Sequence, residues 1–372
     1  MNRSNTEPEP METEPSNDNL TITDNANLDA TKERKKKIVK NKEEQRENMT
    51  TSGLLFIKAF QILLQKTKAP KESTMEYMQR VLHAIFFLGH INDPPISPKE
   101  FIPTTILAKF QEVFPKPFQE YNTQLPSQTP YSILLEYMTA SMEVENPDLF
   151  MLELVSVNES LWKIYDDEGN QPVANDFAFK ASVITYSCVK DQNERVLNMA
   201  YGASMSCKGR TQRRIMIAIS ALYVWDKAIS YAVCCGDKGP AIKFPDHVHC
   251  TAYRFDTRKR EYKEIPPCTI CNKMYVSNFR PMYQVTNKKE TWPFGNCAEN
   301  ESFSKLLHCS TDVREAIHTV SDEGGRLMNR KDIENTFKDE YEDKMKNNVR
   351  NLLASRKFSL TSGDWQFFTP VV

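Results

Sequence analysis

The feature that most constrains this chain is an apolar run that no half-exposed helix can accommodate. The run is IMIAISALYVW at residues 215–225, and it lies inside a longer helical pattern from 211 to 233. Because its residues are apolar on nearly every face, such a helix must be covered from all sides. The run is also shorter than the roughly 20 apolar residues that a membrane-spanning helix needs. The sequence therefore predicts a buried helix at the centre of a globular domain.

The segments around this helix alternate between strand and helix patterns. Residues 181–189 and 195–206 are rich in β-formers and flank the turn-like sequence KDQNE, which predicts a hairpin. Further strands are predicted at 247–255 and at 282–286, with short helical segments between them. This order predicts an α/β (α+β) fold with three layers, in which helices pack on a mixed sheet.

The N-terminal half has a purely helical pattern. Ser73 and Glu76 form a capping box ahead of an amphipathic run that ends near Gly89. No catalytic constellation is recognisable in this half. The sequence thus predicts a helical domain at 51–165, followed by a second domain at 170–372.

The first residues of the chain lack any apolar period. Residues 1–30 carry seven acidic side chains against the single Arg3, and residues 32–42 carry seven basic side chains against Glu33. Such a segment buries too little surface to offset the entropy of ordering. We expect residues 1–48 to be a disordered tail, whose basic block is an import signal, a nucleic-acid or membrane contact, or a solvated stretch.

Composition narrows the choice of partners and compartment. The formal net charge of -1 gives no whole-chain reason to expect nucleic-acid or membrane binding. The N-terminus lacks the apolar core of a signal peptide, so we expect an intracellular protein of the cytoplasm or nucleus with no membrane partner. In that compartment the nine cysteines are more typical of buried residues, metal ligands or catalytic thiols than of a disulfide framework.

Two stretches place cysteines where a loop turns into a helix: PPCTICNK at 266–273 and GNCAENES at 295–302. Zinc prefers deprotonated soft ligands, and Cys268 and Cys271 supply two thiolates on one helical turn. Cys297 is the natural third ligand, which leaves a fourth position open for water, as in catalytic zinc sites. Glu299 could then move a proton to or from that water. The alternative is that these are reduced core cysteines and that Glu299 only favours the helix dipole.

Together with the strand and helix order of residues 181–286, these motifs resemble the zinc-dependent cytidine deaminase superfamily, whose site joins a Cys or His, a nearby Glu and a PCxxC pair. The resemblance implies Zn²⁺ held by Cys268, Cys271 and Cys297, with Glu299 as the proton shuttle. It also implies hydrolytic deamination of a cytosine- or adenine-type base, as a nucleoside or within a nucleic acid. It does not extend to the helical half.

The order of the two motifs departs from the family, because here CAE follows PCxxC instead of preceding it. Three explanations remain: the catalytic half has been permuted onto a later helix; Cys207 is the third ligand and Glu299 approaches from elsewhere; or the site is an inactive remnant. The alternative function is a non-enzymatic interaction or regulatory protein. In it, the helical domain binds a protein partner and the deaminase-like domain is a zinc-stabilised scaffold.

Overall fold

The computed structural model describes residues 19–67, 71–142, 146–167, 177–256, 258–285, 290–320, 327–359 and 365–371. Side chains are described from residue 40 onward, except at 71–72 and 160–167. The chain divides into two units, Met1–Arg46 and Glu47–Val372.

Helix α1, Asn19–Lys66, begins in the first unit. The structure therefore differs from the predicted disordered tail from Asn19 onward, whereas residues 1–18 lie outside the described residues. The basic block at 32–42 lies on this helix and is followed by Glu43 and Glu44, and Lys40 lies 3.8 Å from Glu44 one turn on. Pairs at this spacing stabilise a helix without any buried face.

The second unit has a helical region followed by a region of helices and sheets. Its first helices are α2 Lys71–His90, α3 Pro98–Phe101, α4 Thr104–Val113, α5 Pro115–Glu120, α6 Pro130–Ser141 and α7 Pro147–Asp167. The later helices are α8 Arg210–Ile219, α9 Lys227–Cys235, α10 Thr269–Met274, α11 Ala298–Cys309, α12 Thr311–Ala316, α13 Arg330–Thr336 and α14 Asp343–Ala354. The strands are β1 Val183–Lys190, β2 Val196–Ala203, β3 Ala241–Lys243, β4 Val248–Asp256, β5 Glu261–Ile265, β6 Tyr275–Val276, β7 Asn278–Arg280 and β8 His318–Val320.

The described strands form two mixed sheets. In the larger sheet the order is β2-β1-β4-β5, and β7 pairs with β4 in parallel beside β5. In the smaller sheet β3 lies between β6, which is parallel to it, and β8, which is antiparallel. The predicted hairpin is β1 and β2, with Thr185 opposite Gly202. These sheets, together with the preceding helices, confirm the predicted α/β (α+β) class.

Helices lie on both faces of the larger sheet. Because side chains alternate along a strand, Thr185 and Ser187 of β1 point to one face, where they contact α11 through Ser302. On the opposite face, Tyr201 of β2 stacks on Phe150 of α7 at a ring-centroid distance of 3.8 Å.

One hydrophobic core extends across the predicted domain boundary. Phe56, Phe87 and Leu134 of the helical region belong to the same buried cluster as Ile184 and Met216 of the following region. The helical region and the sheet region therefore share their packing. No described helix combines the length and the apolar character needed to cross a membrane.

The prediction of one continuous helix at 211–233 is wrong. Helix α8 passes into a π-helical turn, Ser220–Val224, and the chain is extended at Trp225 before α9 begins. The side chain of Asp226 accepts a hydrogen bond from the backbone N–H of Ala228 and so caps the new helix. The expected burial is observed, since Ile219 and Ala221 have no exposed surface.

The strand predicted at 282–286 is also absent from its described part, residues 282–285. Strands β6 and β7 precede it, and Pro281 directly follows β7. Proline has no N–H to donate to a neighbouring strand, which explains why the pairing ends there.

Candidate metal centre

The three cysteines predicted as ligands lie together in the structure. Cys268 directly precedes α10, Cys271 lies in its first turn, and Cys297 directly precedes α11. The three Sγ atoms all lie within 4.8 Å of one another, and those of Cys268 and Cys297 are 3.5 Å apart. We call these residues the cysteine triad.

Burial differs among the three thiols. Cys271 has no exposed surface and Cys297 is 8% exposed, whereas Cys268 is half-buried. Hydrogen bonds from the thiols of Cys271 and Cys297 lower the pKa of Cys268 to about 3. Burial holds the pKa of Cys271 well above its usual range, and the bond to Cys268 does the same for Cys297. Cys268 is thus the member of the triad that most favours the thiolate form, because the other two thiols donate hydrogen bonds to it.

Glu299 lies against the triad from the first turn of α11. Glu299 is only 3% exposed, and Cys268 and Cys271 both lie close enough to influence its carboxyl group. Burial, reinforced by the negative charge of Cys268, raises the pKa of Glu299 to about 7. A first-turn glutamate that only complemented the helix dipole would normally keep its carboxylate in water. Here the carboxylate is directed inward to the thiols.

The donor set fits zinc. At a Zn–S distance of about 2.3 Å, two thiolates of a tetrahedral site lie about 3.8 Å apart, close to the Sγ spacing of the triad. A divalent cation would replace the thiol protons and offset the mutual repulsion of the three thiolates. Within the part of the chain that the structure describes, no fourth His, Cys, Asp or Glu ligand atom joins the cluster. Three protein ligands are the number found in catalytic zinc sites.

The other candidate residues do not join the triad. Cys207, the alternative third ligand, is buried elsewhere, and burial raises its pKa to about 12. His249 of β4 and His247, which directly precedes this strand, are not part of the cluster either. Cys250 of β4 is fully buried, and the nearby Glu299 helps to raise its pKa, so it lies beside the carboxylate and outside the triad.

Asn300 fixes the start of α11. Its side-chain amide donates to the carbonyl oxygen of Cys297 at 2.8 Å and accepts from the hydroxyl of Tyr275 at 2.7 Å. Asn300 has no exposed surface, and Tyr275 is 1% exposed. Both hydrogen bonds of the Asn300 amide are therefore buried, and the bond to the Cys297 carbonyl holds the backbone of that ligand in place.

Helix α11 packs closely against the hairpin of β1 and β2. The hydroxyl of Ser302 lies 2.9 Å from that of Thr185 and 2.8 Å from that of Ser187. A Cβ atom at Gly202 would lie 2.4 Å from the carbonyl oxygen of Ala298, so only glycine allows this approach. Gly202 thus sets the distance between β2 and the helix that carries the site.

Glu301 ties α11 to two further elements. Its carboxylate accepts hydrogen bonds from the Ser132 hydroxyl of α6 at 2.8 Å and from the backbone N–H of Ala203 at 3.0 Å. Lys305 donates to the same carboxylate at 2.6 Å. The helical region, the hairpin and α11 therefore meet at one buried carboxylate.

Sequence reasoning missed Gly202, Tyr275, Asn300 and Glu301. A glycine in the interior of the predicted strand YGAS was a usable signal, because such a glycine often marks a close approach of two backbones. The pairings of Asn300 with Tyr275 and of Glu301 with Ser132 and Ala203 join residues far apart in the chain and left no local pattern.

A separate open cleft of about 470 Å³ lies at the other end of α11. Its lining includes His308 near the end of α11, and Asp226 and Arg330, which form a buried ion pair. Arg330 also pairs with Glu334 at 2.5 Å. No sequence pattern indicated this cleft.

Comparison with known proteins gave no match, since no family model, curated protein or solved structure is detectably similar to this chain. The resemblance to zinc-dependent deaminases consequently rests on the residues of the triad, on Glu299 and on the order of the elements around them.

Proposed function

We propose that this chain is a zinc-dependent hydrolase that removes the exocyclic amine of a cytosine- or adenine-type base. Cys268, Cys271 and Cys297 would hold Zn²⁺, and Glu299 would be the catalytic acid and base. The observation that carries the proposal is the inward-directed carboxylate of Glu299, buried against three convergent thiols.

When bound, zinc supplies a Lewis acid that makes water a nucleophile near neutral pH. The three thiols supply the negative charge that retains the ion, and α11 holds Cys297 and Glu299 in fixed relation two residues apart. The carboxylate of Glu299 would take a proton from the attacking water and deliver it to the substrate, so that the amine leaves as ammonia. Burial of this carboxyl away from competing water favours such transfer.

Substrate and compartment follow from the same chemistry. The base would come from a nucleoside or a single-stranded nucleic acid, because a paired base hides the reacting carbon. We further propose that the chain works inside the cell, in the cytoplasm or nucleus, where free thiols remain reduced and available to metal.

A second candidate is a non-enzymatic scaffold in which zinc only stabilises the fold. The inverted order of CAE and PCxxC favours this candidate, since a rearranged site need not keep every catalytic contact. In that case the helical region would supply the contact with a protein partner.

Metal analysis of the purified full chain, followed by ammonia release from cytidine, adenosine and single-stranded oligonucleotides, tests the proposal. We expect about one zinc per chain and turnover of one of these substrates. Glu299→Gln should keep the metal and the fold but lower turnover by roughly two orders of magnitude or more. A zinc-loaded wild type without turnover on any of these would favour the scaffold, and a chain that takes up no zinc would refute both.

A further inference from the structure

One pair of thiols in the triad combines closely spaced sulfur atoms with access from solvent. The Sγ atoms of Cys268 and Cys297 are 3.5 Å apart, and Cys268 is the half-buried member of the triad. Cys271 and Cys297 are buried. A dissolved oxidant therefore reaches Cys268 first and finds Cys297 next to it.

Both cysteines of this pair lie just outside the helices that follow them. Both residues precede a helix and are extended, with φ -73° and ψ 167° at Cys268 and φ -77° and ψ 149° at Cys297. A disulfide needs an S–S distance of about 2.05 Å, so the two sulfurs must approach by about 1.5 Å. Cys271, by contrast, is inside the first turn of α10 and has no exposed surface.

We propose that the triad is a redox switch, in which peroxide joins Cys268 to Cys297 and thereby releases the metal. This inference rests on the proposed function in one respect, that the triad holds zinc. It extends that function by assigning regulation to the same residues.

The chemistry balances in two steps. The sulfur of Cys268 attacks one oxygen of hydrogen peroxide, the O–O bond breaks, and hydroxide leaves and is protonated to water, which yields a sulfenic acid. The thiolate of Cys297 then attacks that sulfur, the S–O bond breaks, and a second hydroxide leaves as water. The two thiolates have lost two electrons, and one peroxide has been reduced to two waters. A dithiol reductant reverses the change by thiol–disulfide exchange.

The disulfide would remove two of the three protein ligands and leave Cys271 alone. A single thiolate does not retain zinc against competing chelators, so the ion departs. The new bond would also link the start of α10 to the start of α11. The described cysteines are all free, so no disulfide joins these helices before oxidation.

The test uses the full chain, reduced and loaded with zinc, and treated with stoichiometric hydrogen peroxide. Zinc release is followed with a chromogenic chelator, and free thiols are then alkylated before peptide mass mapping without reductant. We expect release of about one zinc per chain together with a Cys268–Cys297 link, and recovery after dithiothreitol and fresh zinc. Cys309→Ser is the matched control, because Cys309 is the exposed cysteine at the end of α11 and its removal should leave zinc release unchanged.

The outcomes separate the inference from its premise. Zinc retained with Cys268 and Cys297 still reduced, or a link between Cys268 and Cys271 instead, would overturn the switch while leaving the proposed function intact. A chain that binds no zinc before any oxidant is added would overturn the proposed function, and the switch with it.

Discussion

Replacing Gly202 by alanine should disturb the metal centre by displacing the helix that carries Glu299 and directly follows Cys297. The added Cβ atom would lie 2.4 Å from the Ala298 carbonyl oxygen and 2.5 Å from the Ser302 nitrogen, whereas ordinary contact begins near 3.4 Å. Both obstructing atoms belong to the backbone of α11, so no side-chain rotation can relieve the overlap. The helix must instead move from β2 by about 1 Å.

The size of the effect follows from what this movement breaks. Overpacking of this kind costs about 1 to 3 kcal/mol. The hydrogen bonds of Ser302 to Thr185 and Ser187 add about 1 kcal/mol each. We therefore expect the free energy of unfolding to fall by about 3 to 5 kcal/mol. A ligand displaced by about 1 Å also exceeds the tolerance of a zinc site, so zinc affinity should fall at least tenfold.

The assay combines urea unfolding with chelator competition for zinc. Gly53→Ala is the matched control, because its Cβ atom would lie 2.4 Å from a ring carbon of Phe101 in the helical region, away from the triad. This variant should lose stability but keep its zinc affinity. Wild-type affinity and stability in Gly202→Ala, or equal loss of zinc in both variants, would refute the reasoning.

The remaining predictions address single residues. Asn300→Ala should weaken zinc binding by roughly 10- to 100-fold in chelator competition, because it frees the carbonyl of Cys297, and Tyr275→Phe should weaken it less. Cys207→Ala should retain zinc in metal analysis, whereas Cys297→Ala should lose it; the reverse result would establish Cys207 as the ligand. Burial lowers the pKa of His83 to about 3, against about 6.5 in the unfolded chain. Below pH 6.5 the unfolded chain binds a proton at His83 that the folded chain does not bind. The contribution of His83 to the free energy of unfolding is therefore fully present above pH 6.5 and falls by up to about 1.4 kcal/mol per pH unit as the pH drops toward 3. His83→Phe should remove this pH dependence. Urea unfolding at pH 7 and pH 5 measures it, and a variant that still loses as much stability as the wild type between these pH values would contradict the prediction.

Local chemistry explains which parts of the fold were predictable. The β-rich segments around KDQNE predicted the hairpin because alternation and a turn are both short-range signals. Cys268, Cys271 and Cys297 were selectable because thiols at helix starts have few other uses in a reduced chain. Their convergence did not follow from any spacing; it was inferred from residue types and is observed in the structure.

The errors arose where tertiary contacts or a single residue overrode the pattern. The apolar run at 215–225 predicted burial correctly but concealed the break at Trp225, because burial on every side leaves no periodicity to interrupt. Asp226 followed by a helical pattern was the available cap signal. At 282–286 the β-forming residues were outweighed by Pro281, which ends the pairing one residue earlier.

The position of α11 in the chain determines when one face of the larger sheet becomes covered. The contacts of Ser302 with Thr185 and Ser187 span 117 and 115 residues of sequence. During synthesis the hairpin therefore emerges long before the helix that covers it, and one face of the sheet stays open to other chains in the meantime. Contacts at such separation also slow folding, since a long loop must close before they form. The chain is thus most exposed to misassembly just before α11 leaves the ribosome, and the arrival of α11 covers the sheet and brings Cys297 to the metal centre in a single step.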